Sequence, residues 1–174
     1  MIIGLTGKAG HGKNTVAEQL REICPKMDFQ IVAFADKLKQ VYTILTGEEI
    51  EDSPDWKNGL APGLDMTRRE ALQKIGTECM RDNLHNDVWV RALFADLEPG
   101  CNYIISDVRF PNEAKAILDA GGKVVRVVRH GFDNGVPQHE SETALDSWYF
   151  DTIHNATFSM NFLQEQVWLL AYSN

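Results

Sequence analysis

The chain opens with a short apolar run, residues 2–6 (IIGLT), too brief for a helix and halted by a glycine-rich stretch, which predicts a buried first strand. From residue 15 the pattern becomes helical to about residue 23, and Pro25 closes it, because proline cannot continue the hydrogen-bond ladder. Residues 29–34, FQIVAF, are mostly β-branched and aromatic and predict a second strand. Asp36 is placed to cap the next helix, where Leu38, Val41, Tyr42 and Leu45 recur at helical spacing. Residues 47–66 carry three glycines, two prolines and several acids without a sustained period, which predicts a surface segment. Thr67 and Glu70 have capping-box spacing before a helix with Ala71, Leu72, Ile75 and Met80, and another helix from about residue 87 presents Trp89, Leu93 and Leu97. Residues 103–106 predict a third strand. Pro111 suits a first helical turn, and that helix should stop at Gly121 and Gly122. Residues 123–129, KVVRVVR, predict a fourth strand, residues 150–154 a fifth, and residues 160–171 a closing helix.

Strands separated by helices imply a parallel sheet covered on both faces, since right-handed crossovers place the helices there. The expected fold class is α/β, three-layered, with a central parallel five-stranded sheet. In such folds ligands bind at the carboxyl edge of the sheet. Lys13 follows the first strand, Asp36 and Lys37 the second, Asp107 and Arg109 the third, and Arg129 and His130 the fourth.

Composition narrows the partners. A chain of 174 residues, 44% apolar and 24% charged, is one ordinary globular domain, with no repeat or linker to divide it. A net charge of −8 argues against broad binding to nucleic-acid polymers or anionic membranes, which need a basic face. Small phosphorylated ligands need only a local basic pocket. Cys24, Cys79 and Cys101 are widely spaced with no metal-type pairing, and the N-terminus lacks a signal-peptide pattern, so a cytoplasmic protein with free thiols is expected.

GKAGHGKNT, residues 7–15, has the outline of a phosphate-cradling loop, Gly-x-x-x-x-Gly-Lys, but with Asn14 where a metal-binding hydroxyl usually stands. Gly7, Gly10 and Gly12 let backbone amides point inward without Cβ clashes, and the following helix adds its positive end. Lys13 supplies a cation for the β- and γ-phosphates. Lys8, Ala9, Gly10, His11, Gly12, Lys13, Asn14 and Thr15 are therefore the expected phosphate site. Asn14 offers an amide oxygen to magnesium or its waters, and Thr15 either reaches the α-phosphate or merely caps the helix. Asp107 ends an apolar strand, where a carboxylate can hold magnesium or its water shell; an aspartate there can equally be a helix cap. Asn14 and Asp107 are the metal candidates.

A phosphate loop does not name a reaction. A GTPase switch should carry Asp-x-x-Gly directly after the third strand and an Asn-Lys-x-Asp guanine reader; here Asp107-Val108-Arg109-Phe110 stands at the first place and the reader is missing. A small-molecule kinase needs a second set of cations, and Lys37, Arg68, Arg69, Arg81 and Arg109 are available. A non-catalytic nucleotide-binding module would not need them. Arg68 and Arg69 also read as solvated charges, and Trp89 reads equally as core.

GKAGHGKNT, FADKLK at 34–39, LQKIGTECMR at 72–81, the tryptophan of DVWVRAL, ISDVRFPNEA at 105–114 and HESE at 139–142 together resemble the phage and bacterial deoxynucleoside monophosphate kinases, in that family's motif order over about residues 1–160. The resemblance implies a P-loop nucleoside monophosphate kinase fold over residues 1–174 and transfer of the ATP γ-phosphoryl group to a dNMP with Mg²⁺. Within that domain it implies an acceptor-binding segment at about 36–90 and a lid-like loop at about 129–142. By position it implies that Lys37, Arg69, Gly76, Thr77, Arg81, Trp89, Asp107, Arg109 and Glu113 surround the acceptor, and that Lys13, Asp107, Arg109 and Arg81 act in catalysis. A phosphate-loop kinase for another metabolite, such as a dephospho-CoA-like acceptor, is the alternative, and a homodimer is compatible with the family. The chain departs from the family at Asn14, where an aspartate is usual, and lacks an arginine-rich insertion between Pro111 and Gly121. His130 and His139 suit anions or a plain surface.

Overall fold

A computed structural model describes residues 1–51, 53–131 and 143–155. The expected closing helix at 160–171 and most of the lid-like loop at 129–142 lie outside the described residues. Five strands, β1 (Ile2–Thr6), β2 (Phe29–Val32), β3 (Asn102–Val108), β4 (Lys123–Val128) and β5 (Asp151–His154), form one sheet in the order β2-β3-β1-β4-β5. Every neighbouring pair is parallel, as the alternation of strand and helix patterns predicts. The helices are α1 (Lys13–Ile23), α2 (Phe34–Thr46), α3 (Pro54–Asn58), α4 (Arg68–Gln73), α5 (Val88–Asp96) and α6 (Pro111–Asp119). A 3₁₀ turn follows α1 at Pro25–Met27, and a π-helix at Lys74–Asp82 continues α4. No helix among the described residues is long and apolar enough to cross a membrane.

The chain divides into two compact units, one made of residues 1–33 and 97 onward, the other Phe34–Asp96. The first holds the sheet. Ile3 and Leu5 of β1, with Ile104 of β3, Val125 and Val127 of β4 and Ile153 of β5, pack with Val16, Ala17 and Leu20 of α1 in one buried core. Burial of such side chains contributes about 1.5–3 kcal/mol each relative to leaving them in water. The crossover β1-α1-β2 runs toward one edge of the sheet and β3-α6-β4 toward the other, so the right-handed rule puts α1 and α6 on opposite faces.

The second unit spans the segment expected at 36–90. Here the structure corrects two local readings. FQIVAF is not all strand: β2 ends at Val32 and Phe34 already begins α2. Asp36 is consequently not a cap but a first-turn residue, where a carboxylate still complements the helix dipole. Residues 47–66 are also more than a surface segment. Trp56, Ala61 and Met66 pack with Tyr42, Ala71, Leu72 and Ile75 in a small core of their own. Tyr42 Oη donates to Glu48 at 2.9 Å, and Arg68 Nε donates to both Glu48 oxygens at 2.8 and 2.9 Å while its guanidinium lies 5.0 Å over the Trp56 ring. Burial, and then the bond to Glu48, raise the Tyr42 hydroxyl above its usual pKa, whereas the Arg68 hydrogen bonds lower Glu48. Thr67 caps α4 as its spacing predicts: its hydroxyl accepts from Glu70 N at 3.2 Å and Glu70 accepts from Thr67 N at 2.8 Å.

Candidate functional site

Register fixes what the carboxyl edge of the sheet presents. Thr6, the last residue of β1, pairs with Val108 of β3 and Arg126 of β4, and Val128 of β4 pairs with His154 of β5. The loop leaving β1, the residues Asp107 and Arg109, and Asn155 just after β5 therefore share one edge. These positions are separated by up to 140 residues or more in the chain and are adjacent only because the strands are parallel and in register.

The loop at residues 7–12 runs against β4. Gly7 has φ 139°, and a Cβ on it would stand 2.3 Å from the Val127 carbonyl oxygen, so no larger residue fits without moving the loop or the strand. Gly12 has φ 87° and is the N-cap of α1, so the cap position contributes no side chain to the helix amides. The N-cap therefore adds no side chain in front of the first-turn N–H groups of α1, the geometry a phosphate site uses. Since the cap is Gly12, Thr15 is not a cap, and its side chain, like that of Asn14, is exposed at the start of α1. Lys13 folds back over the loop, its Nζ donating to Gly7 O at 2.7 Å and Lys8 O at 3.0 Å. This keeps the ammonium within the loop that would hold the phosphates.

Asp107 lies inside β3 rather than after it, and is half-buried. Glu113 is 2% exposed, and its Oε2 accepts from the backbone N–H of Arg109 at 2.7 Å and of Phe110 at 3.0 Å. The carboxylate thereby fixes the turn between β3 and α6 and the backbone of Arg109. A cavity of about 120 Å³ beside the loop is lined by Gly7, Lys8, His11, Arg109, Arg126 and Asp146, among others.

Three residues of this region carry no signal in the linear sequence. Asp146 accepts from Lys8 Nζ through both carboxylate oxygens at 2.7 Å. Arg126 Nη2 donates to Leu145 O at 2.6 Å and Trp148 O at 2.9 Å, fastening residues 145–148 to β4. Asn155 Nδ2 donates to His11 O at 2.8 Å. Only the parallel register reveals them; in the sequence they are an unremarked arginine in a valine-rich strand and two polar residues near turns.

The remaining candidates belong to the second unit. Gly76, Thr77 and Arg81 all ride on the π-helix, a rare geometry that recurs at functional sites. Trp89 donates through Nε1 to Gly76 O at 2.9 Å, so two of the predicted acceptor residues are bonded to each other. Trp89 is 6% and Arg81 8% exposed, both buried in this structure. Lys37 pairs with Asp96 at 2.5 Å, and Arg69 is half-buried on α4. Arg68, weighed as a candidate cation, is engaged by Glu48 and Trp56 and serves the small core.

A glycine loop and lysine at the carboxyl edge of a 2-3-1-4-5 parallel sheet define the P-loop kinase class. The crystal structure of TT1252 from Thermus thermophilus shares the fold, with a TM-score of 0.50 and 18% identity over 100% of this chain and 98% of that one. A gluconokinase from Sinorhizobium meliloti 1021 aligns at TM-score 0.44 and 16% identity over 97% of this chain and 92% of that one. No family model matches the chain. Its sequence is 32% identical over 167 residues, covering 84% of this chain and 83% of the relative, to a protein of Acanthamoeba polyphaga mimivirus named "Putative deoxynucleotide monophosphate kinase". The chain belongs to the deoxynucleotide monophosphate kinase family. It is a nucleotide kinase, a phosphotransferase.

Proposed function

We propose that the protein transfers the γ-phosphoryl group of ATP to a deoxynucleoside monophosphate, giving ADP and the deoxynucleoside diphosphate. The observation that carries this reading is the glycine N-cap of α1 at the end of the Gly7–Gly12 loop, with Lys13 folded over that loop and Asp107 and Arg109 on the same sheet edge. Residues 8–15 hold the donor phosphates: backbone amides and the α1 dipole stabilise their charge, and Lys13 swings from the Gly7 and Lys8 carbonyls to the β- and γ-oxygens. Acceptor recognition is assigned to Lys37, Arg69, Gly76, Thr77, Arg81 and Trp89, with Arg109 and Glu113 ordering the turn beyond β3. Arg81 and Arg109 would offset charge on the transferring group, since phosphoryl transfer depends on positioning and electrostatics more than on a base.

Magnesium fits the donor set. Asn14 and Asp107 offer the hard oxygen ligands it prefers, and among the described residues no group of three or more His, Cys, Asp or Glu side chains could cage a metal alone. Magnesium keeps several waters and takes phosphate oxygens as further ligands, so two protein oxygens are enough to hold it or its shell. When bound it would neutralise charge between the β- and γ-phosphates, with Asn14 and Asp107 holding it or its water shell. The chain works as one kinase domain, with free Cys24, Cys79 and Cys101 suited to a reducing cytoplasm.

The test is a product assay. The protein is incubated with ATP, magnesium and each dNMP in turn, with the ribonucleotides and dephospho-CoA as competitors for the assignment, and the nucleotides are resolved by chromatography. A dNDP from at least one dNMP is expected. Product only from dephospho-CoA, or ATP binding with no product, rejects the proposal.

A further inference from the structure

Asn155 is the first residue after β5, 144 positions from its contact in the glycine loop. Its backbone N–H donates to Val128 O at 2.8 Å, extending the β4–β5 pairing, and its side-chain Nδ2 donates to His11 O at 2.8 Å. The fit is tight: a Cβ on Gly12 would stand 2.2 Å from that nitrogen, so glycine at position 12 makes room for the amide as well as for its own φ of 87°. The His11 ring leans on the same strand, Nδ1 lying 3.3 Å from Val127 O. The carbonyl of His11 and the N–H of Gly12 belong to one planar trans peptide and so point in opposite directions. Holding the carbonyl toward Asn155 turns the Gly12 N–H away from β5, at the position directly before Lys13.

We propose that Asn155 is a positioning residue for the donor phosphates: it fixes the orientation of the His11–Gly12 peptide, so that the Gly12 amide is presented to the nucleotide without first reorienting. The inference rests on the reading of residues 7–15 as the ATP site. It assigns part of ATP affinity to a residue that touches no phosphate. A loop whose peptide must be ordered on binding binds more weakly than one ordered beforehand.

Asn155→Asp is nearly isosteric, but its carboxylate accepts where the amide donates and repels the His11 carbonyl. Asn155→Ala removes the contact without adding charge. Titration calorimetry with ATP and magnesium should show affinity lowered about tenfold or more in Asn155→Asp and by a smaller factor in Asn155→Ala, the scale of one hydrogen bond lost from a desolvated partner. In steady-state kinetics the KM for ATP should rise in step while the KM for the dNMP stays within about twofold. Thermal midpoints establish that the variants are folded; Asn155→Leu, which keeps the branched shape without a donor, replaces either one that is not. If the unmodified protein binds no ATP, the phosphate-site reading fails and this inference with it. If the unmodified protein binds ATP and folded variants bind it equally well, the inference alone is overturned. A rise of both KM values together would overturn it too, because that pattern marks a general loss of structure.

Discussion

Gly7→Ala tests how the glycine loop is seated on the sheet, and Gly63→Ala supplies its control. Both glycines have positive φ, 139° at Gly7 and 69° at Gly63, but nothing lies within 4 Å of a Cβ built on Gly63, whereas the Val127 carbonyl oxygen lies 2.3 Å from one on Gly7. Alanine at position 63 therefore meets only left-handed backbone strain, about 1 kcal/mol. At position 7 a glycine-only conformation costs about 1–3 kcal/mol. Displacement of a strand whose backbone is committed to the sheet adds a further overpacking cost of about 1–3 kcal/mol. With about 4 kcal/mol as the central figure and about 2–4 °C per kcal/mol for a chain of this size, Gly7→Ala should lower the thermal midpoint by about 8–16 °C, against about 2–4 °C for Gly63→Ala. Circular dichroism melts measure both, and a nucleotide titration should show ATP binding lost in Gly7→Ala and kept in Gly63→Ala. Equal midpoints together with unchanged ATP affinity would refute the packing of the loop against β4.

Glu113→Ala should cost about 2–4 kcal/mol, because two half-buried backbone N–H groups lose a buried charged acceptor, while Glu113→Gln, which retains an oxygen there, should cost much less; denaturant melts distinguish them. The Glu48 carboxyl is held below its ordinary value of 4.5, chiefly by hydrogen bonds from Arg68, so its contribution to stability is complete above that value and is lost as pH falls through the lower folded-state value. Midpoints recorded from neutral pH to about pH 3 for the unmodified protein and Glu48→Gln should converge on acidification; a gap that widens would reverse the sign of the argument.

What could be read beforehand follows the physics of short range. The buried runs of β1, β3 and β4, the Thr67 and Glu70 cap, Pro111 at the first turn of α6 and the Gly121 exit are set by neighbours a few residues apart, and the sequence displays them. The glycine loop is local in the same sense. The boundary at Phe34 was not legible, because an aromatic residue suits strand and helix alike once it is buried. Neither was the π-helix: the extra residue per turn at Lys74–Asp82 leaves no compositional trace in a segment that already reads as helix. Tyr42, Glu48, Trp56 and Arg68 form one network that joins α2, α3 and α4 over a sequence separation of 26, which periodicity within one element cannot detect. Asn155, Arg126 and Asp146 depend wholly on strand order, so they become visible only when β4 and β5 are set beside β1.

The most direct measurement follows the label from γ-³²P-ATP into each dNMP, with unmodified protein and Lys13→Ala compared at equal folded concentration. Label should enter a deoxynucleoside diphosphate, and Lys13→Ala should lose about 10²- to 10³-fold or more in turnover while keeping its melt, the scale of removing one preorganised charge-stabilising donor. Label transferred at near-normal rate by Lys13→Ala, or label released only as inorganic phosphate, would contradict the assignment of residues 7–15 as the site from which the phosphoryl group departs.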